Sequence, residues 1–195
     1  MQRGAKVKIF LTGSPATGKS TLCRMLAERD ERVRIFPFGE CMQEHLASVG
    51  KSVTLSEMRQ GTLPIVSSDD IDAVCSQLLD WLSHHEVGSV SIIDSHQVTI
   101  ESHGVSLRPF DENVLGQMEI DQVWVTVAEP QTAISRMSSD GKGRKIPSDF
   151  LAAVQDGAQM ALAVRYSAIW GCPVHIIQNS GTEAALVEAA LGLIG

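Results

Sequence analysis

The feature that most constrains this chain is the motif Gly13-Ser-Pro-Ala-Thr-Gly-Lys-Ser20, which matches G-x-x-x-x-G-K-[ST] in full. An apolar, β-rich run at residues 7–11 precedes the motif, and a helical pattern from Lys19 follows it. Its glycines allow backbone conformations that other residues resist, so successive N–H groups can turn inward around phosphate oxygens. A strand, a loop and a helix in this order distinguish a true phosphate-binding loop (P-loop) from a chance match. The chain is therefore predicted to bind a nucleotide.

Each residue type in the P-loop suits a triphosphate that carries Mg²⁺. Lys19 is placed to reach the β- and γ-phosphates, and the Ser20 hydroxyl is placed to ligate the metal. The helix that follows adds the positive end of its dipole. We therefore predict ATP and Mg²⁺ as ligands, and the residues predicted to hold them are Gly13, Pro15, Ala16, Thr17, Gly18, Lys19, Ser20 and Thr21.

Beyond the P-loop, short apolar runs alternate with helical patterns. The runs are continuous rather than alternating in polarity, which is typical of strands buried on both faces of a parallel sheet. This pattern predicts one α/β domain over residues 1–195. The predicted strands are 7–11, 33–36, 90–93, 123–127 and 174–177. The predicted helices are 19–29, 40–49, 69–85 after an N-cap at Ser68, 130–138, 148–170 with Ser148 as the N-cap, and 182–193.

The charge balance bears on the kind of partner. The formal net charge is −7 and the pI is about 5.3. A nucleic-acid binder normally carries a basic face. A phosphorylated small molecule is therefore the better candidate for an anionic partner.

Cysteine usage and the N-terminus bear on the compartment. The four cysteines are scattered, without a CxxC pair or a histidine at ligand spacing, which argues against a zinc site and a disulfide framework. The apolar run near the N-terminus has only five residues, too few for a signal peptide. No window approaches the roughly 18 apolar residues of a membrane span. We expect a cytoplasmic protein that binds neither nucleic acid nor membrane.

Basic residues cluster in a polar loop that also holds Gly141 and Gly143. A flexible basic loop that closes over a triphosphate would exclude water and neutralise charge on the transferring phosphoryl group. An ordinary solvated surface loop is the alternative. We predict a short lid over about residues 136–147. Arg136 and Arg144 are its predicted catalytic residues, because guanidinium binds phosphate in a bidentate manner.

Arg165 lies in the long helix predicted at 148–170, on one stripe with Leu162 and Ile169. The stripe predicts a buried guanidinium, which needs a partner because an unpaired buried charge costs several kcal/mol. That partner is either a structural carboxylate or a phosphate of the ligand. The second alternative makes Arg165 a catalytic candidate.

Asp94 closes the third predicted strand, at the sheet edge where α/β proteins place their ligands. It is predicted to act on Mg²⁺ through a water, or to accept a hydrogen bond from Ser20. A carboxylate that caps a helix or braces a loop is the alternative.

Several short motifs follow one another from the second predicted strand onward. They are Phe38-Gly39-Glu40, Met58-Arg59, Ile93-Asp94-Ser95-His96, Arg136 and Arg144 around the loop, Arg165, and Ile176-Ile177-Gln178-Asn179. With these motifs the chain resembles the archaeal-type adenylate kinases, a branch of the P-loop nucleoside monophosphate kinases. It lacks the Asp-Gly-Phe-Pro-Arg signature and the large lid of the common bacterial adenylate kinases.

The resemblance implies a three-layer P-loop kinase fold with a five-stranded, mainly parallel sheet and a short lid. It also implies a homo-oligomer, because the archaeal enzymes form trimers, and an acceptor-binding segment at about residues 38–66. Asn179 would read the adenine or cap the next helix. Phe38 would offer a flat surface to a base or pack in the core, and His96 would contact the acceptor or support it. The residues that the resemblance implies for the acceptor are Phe38, Gly39, Arg59 and His96. Arg108 is a further acceptor candidate, in a segment where the archaeal pattern does not lead us to expect an arginine.

The mechanism separates the acceptor classes. An alcohol must lose a proton to a positioned base, whereas a nucleoside monophosphate offers an anionic oxygen and needs arginines. The series of arginines favours a phosphate acceptor, so the first hypothesis is an ATP:AMP phosphotransferase (ATP and AMP to 2 ADP). The alternatives are a metabolite kinase with Asp94 as base, and a P-loop ATPase or nucleotide-dependent binding protein.

Overall fold

A computed structural model describes residues 6–51, 66–84, 86–101, 103–139, 146–179 and 182–194. At its centre is a five-stranded sheet in the order β2-β3-β1-β6-β7, in which every pair of neighbours is parallel. The five predicted strands are the five strands of this sheet, so the predicted α/β fold is confirmed. The strands are β1 (Val7–Thr12), β2 (Val33–Pro37), β3 (Val90–Asp94), β4 (Val98–Glu101), β5 (Gly104–Leu107), β6 (Gln122–Val127) and β7 (Val174–Gln178).

Helices cover both faces of the sheet. One hydrophobic cluster lies beneath α2, α3, α4 and α6, and a second lies beneath α1 and α7, which makes three layers. The helices of the described residues are α1 (Lys19–Arg29), α2 (Phe38–Ser48), α3 (Ser68–Ser83), α4 (Glu112–Met118), α5 (Pro130–Ser139), α6 (Asp149–Trp170) and α7 (Glu183–Ile194).

The central strand β1 shows why its apolar run is continuous. Phe10 faces one hydrophobic cluster, whereas Ile9 and Leu11 face the other. Successive side chains of a strand point to opposite faces, and here both faces are covered. All three side chains are at most 1% exposed, and burial of each contributes roughly 1.5–3 kcal/mol.

The ends of the two longest helices follow from capping residues. Ser148 is the N-cap of α6, as the sequence predicts, and its hydroxyl accepts from the Leu151 N–H at 3.3 Å. The predicted Ser68 N-cap of α3 is wrong by one residue, because Ser67 forms a capping box with Asp70. This helix ends at Ser83, before the predicted His85, which lies outside the described residues.

A strand pair and a short helix were not predicted from the sequence. Strands β4 and β5 form an antiparallel pair, with Val98 opposite Leu107, that is separate from the main sheet. Helix α4 follows its N-cap Asp111, whose carboxylate accepts from the Asn113 N–H at 2.8 Å. Both elements are short, and both lie between β3 and β6.

Within the described part of the chain, no helix has the length and apolar character needed to cross a membrane.

Candidate active site

The P-loop joins β1 to α1 at the carboxyl edge of the sheet, and its glycines hold conformations that favour glycine. Gly13 has φ 145°, and a Cβ at that position would lie 2.4 Å from the Thr126 carbonyl oxygen. Gly18 has φ 98°, and a Cβ there would lie 2.3 Å from Asn179 Nδ2. Both distances are too short for real atoms. The spacing of the two glycines in the motif therefore reflects two places where neighbouring groups approach the loop closely.

Lys19 folds back across the loop. Its Nζ donates to the carbonyl oxygens of Gly13, at 2.5 Å, and Ser14, at 3.2 Å. The first turn of α1 carries no acidic residue that would offset the positive end of the helix dipole. The ammonium group and the helix N-terminus therefore present positive charge at the same loop, as a phosphate ligand requires.

A chain of hydroxyls supports the P-loop from below. Thr17 Oγ1 lies 2.8 Å from Thr126 Oγ1, and Thr126 Oγ1 donates to the Thr12 carbonyl oxygen at 3.4 Å. All three side chains are buried. Gln159 of α6 donates from Nε2 to Thr12 Oγ1 at 2.7 Å. The loop is thus fixed to β1, β6 and α6 together.

Helix α6 also reaches the loop directly, because Ser14 Oγ donates to Asp156 Oδ1. Sequence reasoning missed both Asp156 and Gln159. The signal that could have found Gln159 is the pair Gln155 and Gln159, one turn apart in a helix that is otherwise largely apolar there. Buried glutamines need hydrogen-bond partners, and the carboxyl edge of the sheet supplies them.

Arg136 and Asn179 meet at the rim of the P-loop. The Arg136 guanidinium donates to the Ala16 carbonyl oxygen and to Asn179 Oδ1, both at 3.4 Å. Asn179 is 6% exposed and donates from Nδ2 to the Thr17 carbonyl oxygen at 2.9 Å. The Asn179 backbone N–H donates to the Val127 carbonyl oxygen at 2.7 Å. Asn179 therefore braces the loop, a role that sequence reasoning did not consider. The structure brings Arg136 to the loop, and its catalytic role stays a prediction.

The residues near the P-loop also fit a hard cation such as Mg²⁺. Burial raises the pKa of the Cys23 thiol well above its usual value, the Asp94 carboxylate raises it further, and Lys19 lowers it. Asp94 ends β3 opposite Leu11 of β1, the strand that leads into the P-loop, and Ser20 lies in the first turn of α1, which follows the loop. A hydroxyl and a carboxylate are the oxygen ligands that Mg²⁺ prefers. The two predicted metal residues, Ser20 and Asp94, are compatible with the ion.

A cleft of about 300 Å³ opens beside the P-loop, between α5 and the first turns of α6. Ser14 and Pro15 line one side, Ile134 and Met137 of α5 line another, and Asp156 lines the α6 side. The base of the predicted lid therefore borders the phosphate loop. Residues 140–145 of that lid, which include Arg144, lie outside the described residues.

The predicted acceptor residues that the structure describes follow β2, β3 and β5, and none of them lines this cleft. Phe38 packs on the core, with its ring centroid 5.2 Å from that of Phe110, as in the packing alternative. A Cβ built on Gly39 meets nothing within 4 Å, so the backbone there is open. His96 is exposed after β3. Arg108 is half-buried and donates to the Val66 carbonyl oxygen at 3.4 Å.

The predicted acceptor segment is described only in part, since residues 52–65 with Arg59 are outside the described ranges. The described residues on either side of this gap meet at Asp70, a buried carboxylate in the first turn of α3. Asp70 Oδ2 accepts from Lys51 Nζ at 2.6 Å and from the Ser67 N–H at 2.8 Å. His45 Nε2 lies 3.2 Å from Asp70 Oδ1. These groups, Lys51 first, hold the pKa of Asp70 well below its usual range.

We expect Asp70→Asn to lower the melting temperature near neutral pH. A depressed pKa in the folded state stabilises the protein above the unfolded-state pKa of about 3.9, and this contribution is lost as the pH falls toward the folded-state pKa. The difference between wild type and variant is therefore constant above about pH 5 and shrinks as the pH falls below that value. Thermal unfolding followed by circular dichroism from pH 7 to pH 3 measures it. The matched control is Asp69→Asn, at the exposed neighbour, and equal effects of both variants would contradict the expectation.

Arg165 is not buried, so the predicted apolar stripe of α6 is wrong. The buried face of the helix carries Leu162 and Tyr166, whereas Ile169 is 43% exposed. The Arg165 guanidinium donates to Glu112 Oε1 at 2.8 Å, at the edge of an open cleft of about 400 Å³. The structure thus realises the carboxylate alternative for its partner. A catalytic role for Arg165 stays a prediction.

Residues 12–153 match a family model described as an AAA domain (AAA_17). The chain belongs to this family. Its adenylate kinase relative from Pyrococcus furiosus is 24% identical in an alignment of 186 positions that covers 92% of this chain and 91% of that protein. An adenylate kinase homolog from Methanothermobacter thermautotrophicus is 25% identical in an alignment of 199 positions that covers 99% of this chain and 93% of that protein. These relatives confirm the resemblance to archaeal adenylate kinases.

The fold recurs in solved kinase structures. Shikimate kinase from Acinetobacter baumannii, in complex with shikimate, has a TM-score of 0.55 and 15% identity, and the match covers 96% of this chain and 92% of that one. At this identity the likeness shows the fold. The predicted P-loop kinase fold is therefore confirmed.

Proposed function

We propose that this chain is a nucleoside monophosphate kinase that transfers the γ-phosphoryl group of ATP to AMP, giving two ADP. The observation that carries the proposal is the position of Arg136, whose guanidinium contacts the P-loop at Ala16 and also contacts Asn179, the residue after β7 that braces the loop. Relatives named adenylate kinase, which match more than 90% of this chain, support the same acceptor. The chain is an ATP-dependent phosphotransferase, and the identity of the acceptor is what we add.

The residues of the P-loop would bind and orient ATP. Backbone N–H groups between Gly13 and Lys19 would surround the β-phosphate, and the Lys19 ammonium would turn from the loop carbonyls to the β- and γ-phosphates. Ser20 and Asp94 would hold Mg²⁺, directly or through water. The ion supplies charge neutralisation on the phosphate oxygens.

The acceptor would enter from the side of β2 and β3. Phe38 and Gly39 follow β2, and His96 follows β3, at the same edge of the sheet as the P-loop. Arg108 offers a half-buried guanidinium beside Val66. Arg59 and Arg144 complete the set of arginines that we propose for the two phosphate groups.

The proposed reaction needs little covalent chemistry from the protein. An α-phosphate oxygen of AMP attacks the γ-phosphorus of ATP in line, a new P–O bond forms, and the bond to the β-phosphate oxygen breaks. The attacking oxygen is already anionic, so no base is required. Lys19, Arg136 and Arg144 would stabilise charge on the transferring group, where arginines in related mechanisms have large effects.

One observation favours a second candidate, a kinase for a small hydroxylated metabolite. Asp94 ends β3 beside β1, opposite Leu11 in the register, at the edge where a base for an alcohol would stand. Asp94→Asn would then abolish turnover with an alcohol acceptor. In the favoured function, the same variant would lower the affinity for Mg²⁺. Transfer to AMP would continue, because its phosphate oxygen is already ionised and needs no base.

We expect a large AMP-dependent rate of ADP formation, because AMP carries its own anionic nucleophile and the site carries arginines. The measurement is a coupled ADP-release assay with Mg–ATP, run with AMP, CMP, UMP, GMP or no acceptor. ATP hydrolysis without acceptor should stay at background. A rate that does not rise with AMP would discard the proposed acceptor, and phosphate release without any acceptor would favour the ATPase alternative.

A further inference from the structure

Two separate polar networks end on the inner face of α6. The first starts at the P-loop, where Thr17 and Thr126 share a hydrogen bond of 2.8 Å. It continues through Thr126 to Thr12, and from Thr12 Oγ1 to Gln159 Nε2 at 2.7 Å. This network is the support of the nucleotide loop, and Gln159 is its last member.

The second network belongs to the wall on the proposed acceptor side. The Phe110 N–H donates to the Tyr166 hydroxyl at 2.8 Å, and that hydroxyl donates to Gln97 Oε1 at 2.6 Å. The Arg108 N–H donates to the Gln97 carbonyl oxygen at 2.8 Å. Burial raises the pKa of Tyr166 to about 12, so its hydroxyl remains a donor at physiological pH. Gln97 thus organises the backbone at 108 and 110.

Each network ends in a buried atom without a partner among the described residues. These atoms are Gln159 Oε1 and Gln97 Nε2, and their side chains are 2% and 5% exposed. One is a hydrogen-bond acceptor and the other is a donor. Buried polar groups in native proteins almost always have a partner, from the protein or from an ordered water.

The two glutamines face the same stretch of the core. Tyr166 bonds to Gln97, and Gln155 Nε2 donates to the Val98 carbonyl oxygen at 2.9 Å, so residues 97–98 run along the inner face of α6. On that face Gln159 lies one turn after Gln155 and two turns before Tyr166. Gln159 therefore stands between the two points where α6 holds this segment.

We infer that one internal water molecule accepts a hydrogen bond from Gln97 Nε2 and donates one to Gln159 Oε1. A water is the ligand that offers both roles within a space closed to solvent. It joins the two networks, from Thr17 in the P-loop to Phe110 and Arg108 in the opposite wall. Gln97 and Gln159 are thereby positioning residues, which fix the distance between the donor and acceptor sides. This last step rests on the proposed function.

A crystal structure of the full chain, at a resolution that shows ordered water, tests the site directly. We expect a peak about 2.7–3.2 Å from both Gln97 Nε2 and Gln159 Oε1. Direct contact between the two amides, or no peak between them, overturns the inference.

A double-mutant cycle in the free energy of unfolding tests whether the two glutamines share one partner. Gln97→Met and Gln159→Met each also remove the hydrogen bonds that the glutamine makes within its own network. These losses occur equally in the single and double variants, so they cancel in the cycle. Each single variant leaves one atom of the bridge unsatisfied, whereas the double variant removes both. We expect the unfolding equilibrium constant of the double variant to be about tenfold smaller than the value calculated by combining the effects of the two single variants. Additive effects overturn the bridge.

The control cycle pairs Gln159→Met with Ser91→Ala. Ser91 is 0% exposed, and its hydroxyl also has no partner among the described residues. It pairs in register with Lys8, four residues before Thr12 on β1, so it lies roughly 13 Å from the Gln159 contact. We expect additive effects here, and coupling as large as in the first cycle would refute a specific bridge.

The positioning role is read from ligand binding, which a purely structural role would leave unchanged. Calorimetry would measure AMP affinity with and without a non-hydrolysable ATP analogue, in wild type and in each single variant. We expect the analogue to strengthen AMP binding in wild type, and each variant to reduce that factor about threefold or more. An unchanged factor overturns the positioning role. If wild type does not bind AMP, the proposed acceptor fails, while the unfolding cycle still decides the bridge.

Discussion

Replacing Lys19 with alanine is expected to lower kcat for phosphoryl transfer by roughly two to three orders of magnitude. Its ammonium group is held over the P-loop by two carbonyl oxygens, at 2.5 Å and 3.2 Å, and lies beside the N-terminus of α1. Charge on the transferring phosphoryl group spreads over its oxygens in the transition state, where the Lys19 ammonium stabilises it. Loss of this cation therefore lowers kcat more than it lowers the affinity for ATP.

The measurement for Lys19→Ala is the initial rate of ADP formation at saturating Mg–ATP and acceptor, with circular dichroism to verify the fold. Arg24→Ala is the matched control, because Arg24 lies on the same helix with its side chain 58% exposed and pairs with Glu28 on the surface. The control should retain its rate. Near-normal turnover in Lys19→Ala would refute the assignment of the P-loop.

The strands of the main sheet were predictable because their signal is local. Ile9, Phe10 and Leu11 are consecutive, apolar and buried on both faces, and a run of this kind has few alternatives once a P-loop follows it. The pair β4–β5 lacks such a signal, since most of its residues are only half-buried. Helix α4 has seven residues, too few to show a periodic pattern.

The face of α6 shows why an apolar stripe can mislead. Val154 and Ile169 are apolar and are 39% and 43% exposed, whereas Gln155 and Gln159 are polar and buried at 6% and 2%. The glutamines lie inside because the sheet edge offers hydrogen-bond partners at Val98 and Thr12, which only the folded chain brings there. The prediction assumed that the apolar residues of the helix face the core. It therefore assigned the wrong buried face to α6 and placed Arg165 in the core.

In the candidate site, too, the local features could be predicted and the contacts between distant residues could not. The P-loop could be predicted because its residues are contiguous and their roles follow from backbone geometry. The contact between Arg136 and Asn179 spans 43 positions, and the contact between Ser14 and Asp156 spans 142. The resemblance to adenylate kinases pointed to Arg136 and Asn179 separately, the first in the lid and the second at the adenine, and their contact was not predicted. No pattern in the chain indicated the second contact, because it depends on how α6 packs across the sheet.

Arg136→Ala is expected to lower kcat by about a thousandfold, with a smaller change in the KM for ATP. The two hydrogen bonds of its guanidinium are long, at 3.4 Å, and bonds of this length are weak. Turning the side chain from Ala16 and Asn179 to a phosphate therefore costs little, and the new charge-assisted bonds are stronger. Arg136→Lys should fall between wild type and Arg136→Ala, because an ammonium keeps the charge but loses the bidentate geometry.

Steady-state kinetics at saturating Mg–ATP would distinguish this role from that of a brace for Asn179. A catalytic Arg136 lowers kcat while the melting temperature stays close to that of wild type, since the bonds it loses are weak. A brace lowers the melting temperature and ATP affinity together, because Asn179 also holds Thr17 at 2.9 Å. Arg29→Ala, which removes a surface ion pair with Glu188, is the control for loss of a guanidinium alone. If Arg136→Ala and Arg29→Ala have the same kcat, the P-loop of this chain transfers phosphate without help from α5.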